Sequence, residues 1–370
     1  MGRIIDYVYW RGDLSFKQEP FNQIDAAIFS QLSLLDFDDI VPSSGTGTPL
    51  YEVFKLYLKK GYKVDEPLGL FITNKQNLLF EALSQSPRYK DLLLSNYSRI
   101  YDESNHCQFE AMTIDLGDEL LISFGGTDDT ILGWHEDFEL LYLDEIPSHK
   151  HGLTYLKSVY ESSNKNIYMC GHSKGANVAM EVLLSTSKTI YKRVKKVYCF
   201  DGPGLRESEY DLDVVKERIG KVISYIPYKV SIGKLFDHYE EYKIVESTAN
   251  IAYQHDILTW HVIRNDFIYK DSVSADSVYI DLHLKKMIKD MPLKQRKGFV
   301  EALFNLLYST GAKTLLDLYK ENKNKLLNNI VKLSKEDRNI LNDVLFKNIL
   351  NDPKLAKIIF DFVREFNNKD

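Results

Sequence analysis

The order of apolar and polar positions divides the chain into three stretches. In residues 22–35, NQIDAAIFSQLSLL, the residues Ile24, Ala27, Ile28, Leu32 and Leu35 share one face at helical spacing. After a loop-forming run, PSSGTGTP at 42–49, helical patterns dominate from 50 to 97. The period then shortens. CQFEAMTIDL (107–116) and ELLISF (119–124) are short apolar runs split by Gly117 and Asp118, which predicts strands joined by a tight turn. Beyond 150 the pattern alternates: helix 153–163, strand 166–170, helix 174–187, strand 194–200, short helix 211–219, strand 221–226 and a further strand at 242–247. Strands separated by helical patterns predict a mainly parallel sheet with helices on both faces.

From 281 the spacing is helical to the end. Gly311 marks a break, and SKED at 334–337 has a capping pattern. No Gly/Pro-rich linker sets this segment apart. The expected organisation is a mainly helical N-terminal region over 1–105 packed on the core, an α/β core over 106–280, and a C-terminal helical extension over 281–370.

Composition narrows the classes. The chain has 370 residues, of which 44% are hydrophobic, enough for a sizeable core. Its net charge of −6 argues against a nucleic-acid binder, which usually carries a basic excess. Residues 281–370 hold 18 Lys and Arg against 12 Asp and Glu, so this segment carries +6 and the remainder −12. Evenly spread lysines read as a solvated helix face, and a peripheral contact with a membrane surface stays open. The opening MGRIIDYVYWRGDLSF has no signal-peptide pattern, and no run of 18 apolar residues occurs. Three cysteines are too few for a disulfide framework, so a cytoplasmic location is expected. There is no Cys/His cluster with zinc spacing, and neither a metal nor a cofactor is expected. Composition is silent on the oligomeric state.

The chemistry concentrates in NIYMCGHSKGANVAM, residues 166–180. Gly171, Ser173 and Gly175 form G-x-S-x-G between a strand pattern and an amphipathic helix. A nucleophile raised in a strained turn needs small residues two before and two after it. The following helix aims its N–H groups and positive end where an oxyanion would develop. A tight β–α turn without catalysis is the plainer reading of the same residues.

The segments LISFGGTDD, HKHG, IYMCGHSKGA and VYCFDGPGL together resemble the class 3 lipases of the α/β-hydrolase fold. With DYVYWRGDLSF, SQLSLLDF and ESTANIAYQHDILTW, the chain is more similar still to an uncharacterised bacterial lipase-like family. The resemblance implies an ester hydrolase of lipase, phospholipase or carboxylesterase type, acting on a small-molecule or lipid ester. It also implies oxyanion donors at Thr127, through hydroxyl and backbone N–H, and at Lys174, through its backbone N–H. Two positions depart from the class 3 pattern: Lys174 stands where Leu is usual, and Gly125 where Arg is usual. A lysine beside the nucleophile is expected to make the mouth of the site less apolar and to bias the substrate.

The fold orders its triad Ser, Asp or Glu, then His. Four histidines follow Ser173: His238, His255, His261 and His283. His255 opens a loop after a late strand and lies in the signature of the resemblance, so it is the favoured base. Asp201 ends the strand after the elbow at the same sheet edge and is the favoured acid, with Asp237 as the alternative. The expected activity is acyl transfer by Ser173, His255 and Asp201. The alternative is a catalytically retired hydrolase fold serving as a binding or regulatory protein.

Overall fold

The computed structural model describes residues 2–70, 72–206, 211–229, 232–250, 253–345, 351–357 and 360. Parts of the expected C-terminal extension and of the segment before His255 therefore lie outside the described residues. The strands are β1 (Gly2–Arg3), β2 (Thr48–Pro49), β3 (Leu93–Asp102), β4 (Cys107–Asp115), β5 (Glu119–Phe124), β6 (Asn166–His172), β7 (Val194–Phe200), β8 (Val222–Pro227), β9 (Glu241–Val245), β10 (His261–Ile263), β11 (Asp266–Phe267) and β12 (Tyr269–Lys270). The main helices are α1 (Ile4–Arg11), α2 (Gln23–Leu32), α3 (Leu50–Lys59), α4 (Lys75–Gln85), α5 (Ile131–Glu139), α6 (Pro147–Ser162), α7 (Lys174–Ser185), α8 (Lys188–Arg193), α9 (Leu212–Arg218), α10 (Ala275–Asp290) and α11 (Leu293–Tyr308).

Nine strands form one sheet in the order β12-β9-β8-β7-β6-β5-β4-β3-β2. From β5 to β9 every pairing is parallel, while β2 to β5 and β12 pair antiparallel. This is an α/β-hydrolase-like sheet with helices on both faces. Strand residues alternate between the two faces, as a period of two requires. Leu121, Cys170, Tyr198 and Ile223 join a core shared with α1–α4. Their neighbours Ile122, Met169, Val197 and Val222 join the opposite core, shared with α6 and α7. A third apolar cluster lies away from the sheet, where Ile131 and Phe138 of α5 meet Phe299, Val300 and Phe304 of α11. Helix α5 thus stands between the sheet and the C-terminal helices. Among the described residues, no helix is long and apolar enough to cross a membrane.

Two expectations are corrected. The helical reading of 50–97 ends too late, because β3 begins at Leu93. Asn96 sits at φ 53° where the register of β3 against β4 shifts, and this bulge breaks the alternation that would have marked a strand. The C-terminal helices begin at Ala275 rather than 281, capped by Ser274, whose hydroxyl accepts the Ser277 N–H. Gly311 does interrupt the helices, at φ 77°, and Ser334 does cap a helix over Lys335–Asn342.

Candidate active site

Strand β6 ends at His172 and α7 begins at Lys174, which leaves Ser173 alone at the corner. Its backbone is at φ 56° and ψ −126°, a conformation costly for a residue with a side chain. The two motif glycines make that corner feasible. A Cβ on Gly171 would lie 2.1 Å from the Gly175 carbonyl oxygen, and one on Gly175 would lie 2.3 Å from the Phe124 carbonyl oxygen. The Ser173 N–H donates to the Phe200 carbonyl at 2.9 Å, which ties the elbow to the end of β7.

Asp201 follows Phe200 directly. It is buried, with φ 44°, and its N–H donates to the Tyr225 carbonyl of β8 at 2.8 Å. Its two carboxylate oxygens have separate partners. Oδ1 accepts the Gly233 N–H at 2.9 Å, and Oδ2 lies 2.7 Å from His255 Nδ1. A carboxylate can only accept, so His255 carries its proton on Nδ1 and leaves Nε2 as the basic nitrogen. The imidazole is one-fifth exposed while the carboxylate is fully buried.

His172 supports the base from the other side. Its Nε2 donates to the His255 carbonyl at 2.8 Å, and the two rings lie 4.5 Å apart. Burial, with His255 nearby, drives His172 well below the usual histidine range, so it is a neutral donor. The next residue, Asp256, accepts from Lys75 of α4 at 2.7 Å, which anchors the loop. Neither Ser173 Oγ nor His255 Nε2 hydrogen-bonds to another described residue. Such contacts are often long in enzymes without substrate.

Residues 125–127 pass close to the elbow. A Cβ on Gly126 would lie 2.8 Å from the His172 carbonyl oxygen, and one on Gly125 would lie 2.8 Å from Glu110 Cβ. The arginine usual at position 125 has no room here. The Thr127 hydroxyl does not face a vacant oxyanion position: it donates to Asp137 Oδ2. Desolvation raises Asp137 to about 6, against the lowering pull of Lys174 and of Thr127 itself. The Thr127 backbone N–H is the donor left to this residue. At the start of α7 the Lys174 N–H belongs to the first turn, where no intrahelical acceptor exists.

The Lys174 side chain corrects the expectation of a cation at the mouth. It is 2% exposed, and its ammonium donates to the Gln108 carbonyl at 2.5 Å, Gln108 Oε1 at 2.7 Å and Glu136 Oε2 at 2.8 Å. Burial works against its charge, but Glu136 and Asp137 outweigh it and hold the ammonium above its ordinary range. The partners explain why the charge points inward: a buried ammonium with three acceptors, one of them a carboxylate, is compensated. Sequence reasoning overlooked Glu136, Asp137 and His172. Only the GH of GHS offered a hint of the last.

The remaining candidates do not join the site. Asp237 forms a backbone pair with Leu205, both N–H to carbonyl distances being 2.8–2.9 Å, and His255 takes Asp201 instead. His238 Nδ1 lies 2.6 Å from Glu240, His261 Nε2 lies 3.2 Å from the Thr248 hydroxyl, and His283 Nε2 lies 3.0 Å from Asp352.

The chain is similar in structure to several lipases. One is a fungal lipase solved with an inhibitor, at 15% identity over 62% of this chain and 81% of that one, TM-score 0.38. Another is a mutant of MDLA from Penicillium cyclopium, at 12% identity over 66% and 80%, TM-score 0.36. A third is Lip2 lipase from Yarrowia lipolytica, at 11% identity over 56% and 83%, TM-score 0.32. No curated protein matches the chain in sequence. Residues 83–305, from α4 through the elbow, Asp201 and His255 into α11, match the model of one family, and the chain belongs to that family, the Mbeg1-like proteins.

Proposed function

We propose that this protein is a serine hydrolase that cleaves carboxylic esters through an acyl-enzyme. Ser173 Oγ attacks the ester carbonyl while His255 Nε2 takes its proton. The resulting imidazolium is stabilised by Asp201, which also holds the tautomer. The Lys174 and Thr127 backbone N–H groups stabilise the oxyanion; losing one such donor typically costs ~2.7–4 kcal/mol of transition-state stabilisation. Collapse of the tetrahedral intermediate passes the proton from His255 to the leaving alcohol. Water then repeats the sequence to release the acid.

The observation that carries this reading is the 2.7 Å contact between His255 Nδ1 and Asp201 Oδ2, at the sheet edge where the strained Ser173 sits. A turn serine without catalysis needs neither the strain nor a His–Asp pair at the same sheet edge. The inward-facing Lys174 ammonium removes the ground for a preference for anionic substrates, so a short neutral ester is the proper first substrate. Purified protein should hydrolyse p-nitrophenyl butyrate, and Ser173→Ala should lose nearly all of that rate. Equal rates in the two proteins would mean that the hydrolysis, if any, arises elsewhere.

A further inference from the structure

Outside the site, one group of side chains has no role in the chemistry above. His106 lies in the turn between β3 and β4, and His135 and Glu139 lie one helical turn apart on α5. One nitrogen from each histidine and one Glu139 oxygen all lie within 4.8 Å of one another. His106 Nδ1 is 2.8 Å from Glu139 Oε1, and His135 Nε2 is 4.0 Å from the same oxygen. Two ligand atoms on a tetrahedral Zn²⁺, each ~2.0–2.1 Å from the metal, stand roughly 3.3 Å apart. The two observed separations bracket that value.

The second observation is His135 itself. The residue is 4% exposed, yet its Nε2 is buried without a hydrogen-bond partner among the described residues. Its other nitrogen, Nδ1, lies 3.2 Å from the Tyr308 hydroxyl of α11. An Nδ1–H donated there leaves Nε2, 4.0 Å from Glu139 Oε1 and on a ring stacked 3.9 Å from that of His106, with nothing to accept from. A buried acceptor in that condition is costly, and a metal ion would satisfy it.

We propose that His106, His135 and Glu139 form a binding site for a divalent transition-metal ion of the zinc type, separate from the ester-cleaving residues. Two imidazoles and a carboxylate suit zinc better than calcium or magnesium, which prefer oxygen ligands alone. Water would supply the fourth ligand. The supporting contacts of such a site are present: Tyr308 on His135, and the Tyr142 hydroxyl donating to Glu139 Oε1 at 2.9 Å. The His135 ring also stacks on Phe304 of α11 at 4.3 Å and 3°. The ion would therefore fasten the β3–β4 turn to α5 and stiffen the helix whose Glu136 and Asp137 hold Lys174 and Thr127. The distance of His106 from the helical pair hides the group in the sequence.

The test is calorimetric titration of the full chain, freed of metal by EDTA and dialysis, with Zn²⁺ alone. One ion per chain should bind. His106→Gln and Glu139→Gln should each weaken binding by more than about 100-fold, beyond the 10–100-fold typical of disturbing a supporting hydrogen bond. His106 is more than one-third exposed, so this variant keeps the fold, as circular dichroism should verify. Cobalt(II) should give the intense visible spectrum of a four-coordinate site in the wild type and lose it in both variants. Absence of binding to the wild type, or equal binding to His106→Gln, would overturn the proposal and leave a stacked pair of imidazoles.

Discussion

At the scale of single residues, the site rests on backbone conformations that side chains usually avoid. Ser173 and Asp201 both have positive φ, at 56° and 44°. Each costs of the order of 1–3 kcal/mol and persists only where surroundings over-determine it. At Asp201 those surroundings are the Tyr225 carbonyl, the Gly233 N–H and His255. Asp201→Asn would keep the size and the turn but present an amide where Nδ1–H needs an acceptor. We expect kcat to fall roughly 10⁴-fold, as a wrong-tautomer defect does in a Ser-His-Asp protease, with an unchanged denaturation midpoint. Near-normal turnover in that variant would remove Asp201 from the mechanism. The elbow and the position of Asp201 were legible because each sits where a strand pattern stops, and parallel strands bring such ends to one edge. The direction of Lys174 was not legible. Its carboxylate partner stands 38 positions earlier, in a helix the apolar pattern did not announce.

At the scale of elements, Lys174 and Glu136 form a buried junction. Glu136 Oε1 accepts the Ser148 N–H of α6 at 2.9 Å, and Oε2 accepts the Gln108 N–H of β4 at 3.0 Å along with the Lys174 ammonium. Four elements, β4, α5, α6 and α7, meet there with every carboxylate oxygen paired. A second tether runs from His149 Nε2 to Asn177 Oδ1 at 2.8 Å, and Asn177 Nδ2 donates to the Gly204 carbonyl beyond Asp201 at 3.1 Å. The leucine usual at position 174 is therefore incompatible with Glu136 as a lone change. We expect Lys174→Met to destabilise the protein by ~3–5 kcal/mol, because it strands a buried carboxylate. Adding Glu136→Gln should recover part of the loss. Urea unfolding of the single and double variants checks this, and a single variant as stable as the wild type would show that Glu136 does not need its partner. The long strands and helices of this region were legible because each shows several periods. The bulged β3 and strands of two or three residues, such as β1, β11 and β12, carry too few positions to establish one.

At the scale of the whole molecule, three apolar clusters share one scaffold: two sandwich the sheet, and the third seats the C-terminal helices on α5. The parallel run β5 to β9 sets the ends of β6 and β7 side by side, through the pairing of His172 with Phe200. That pairing brings Ser173 beside Asp201, while the chain beyond β9 returns His255 to Asp201. The alternation of strands and helices made this architecture legible. The docking of α11 on α5 was not, since an amphipathic helix does not name the surface it covers. The central claim is that this arrangement activates one serine. A fluorophosphonate reacts covalently with an activated serine hydroxyl and leaves ordinary serines alone, whatever the natural ester. Incubation of the intact protein followed by peptide mass spectrometry should find one adduct per chain, on Ser173, abolished in Ser173→Ala and strongly slowed in His255→Ala. An unmodified Ser173 in folded protein, or labelling at the same rate without His255, would contradict the account.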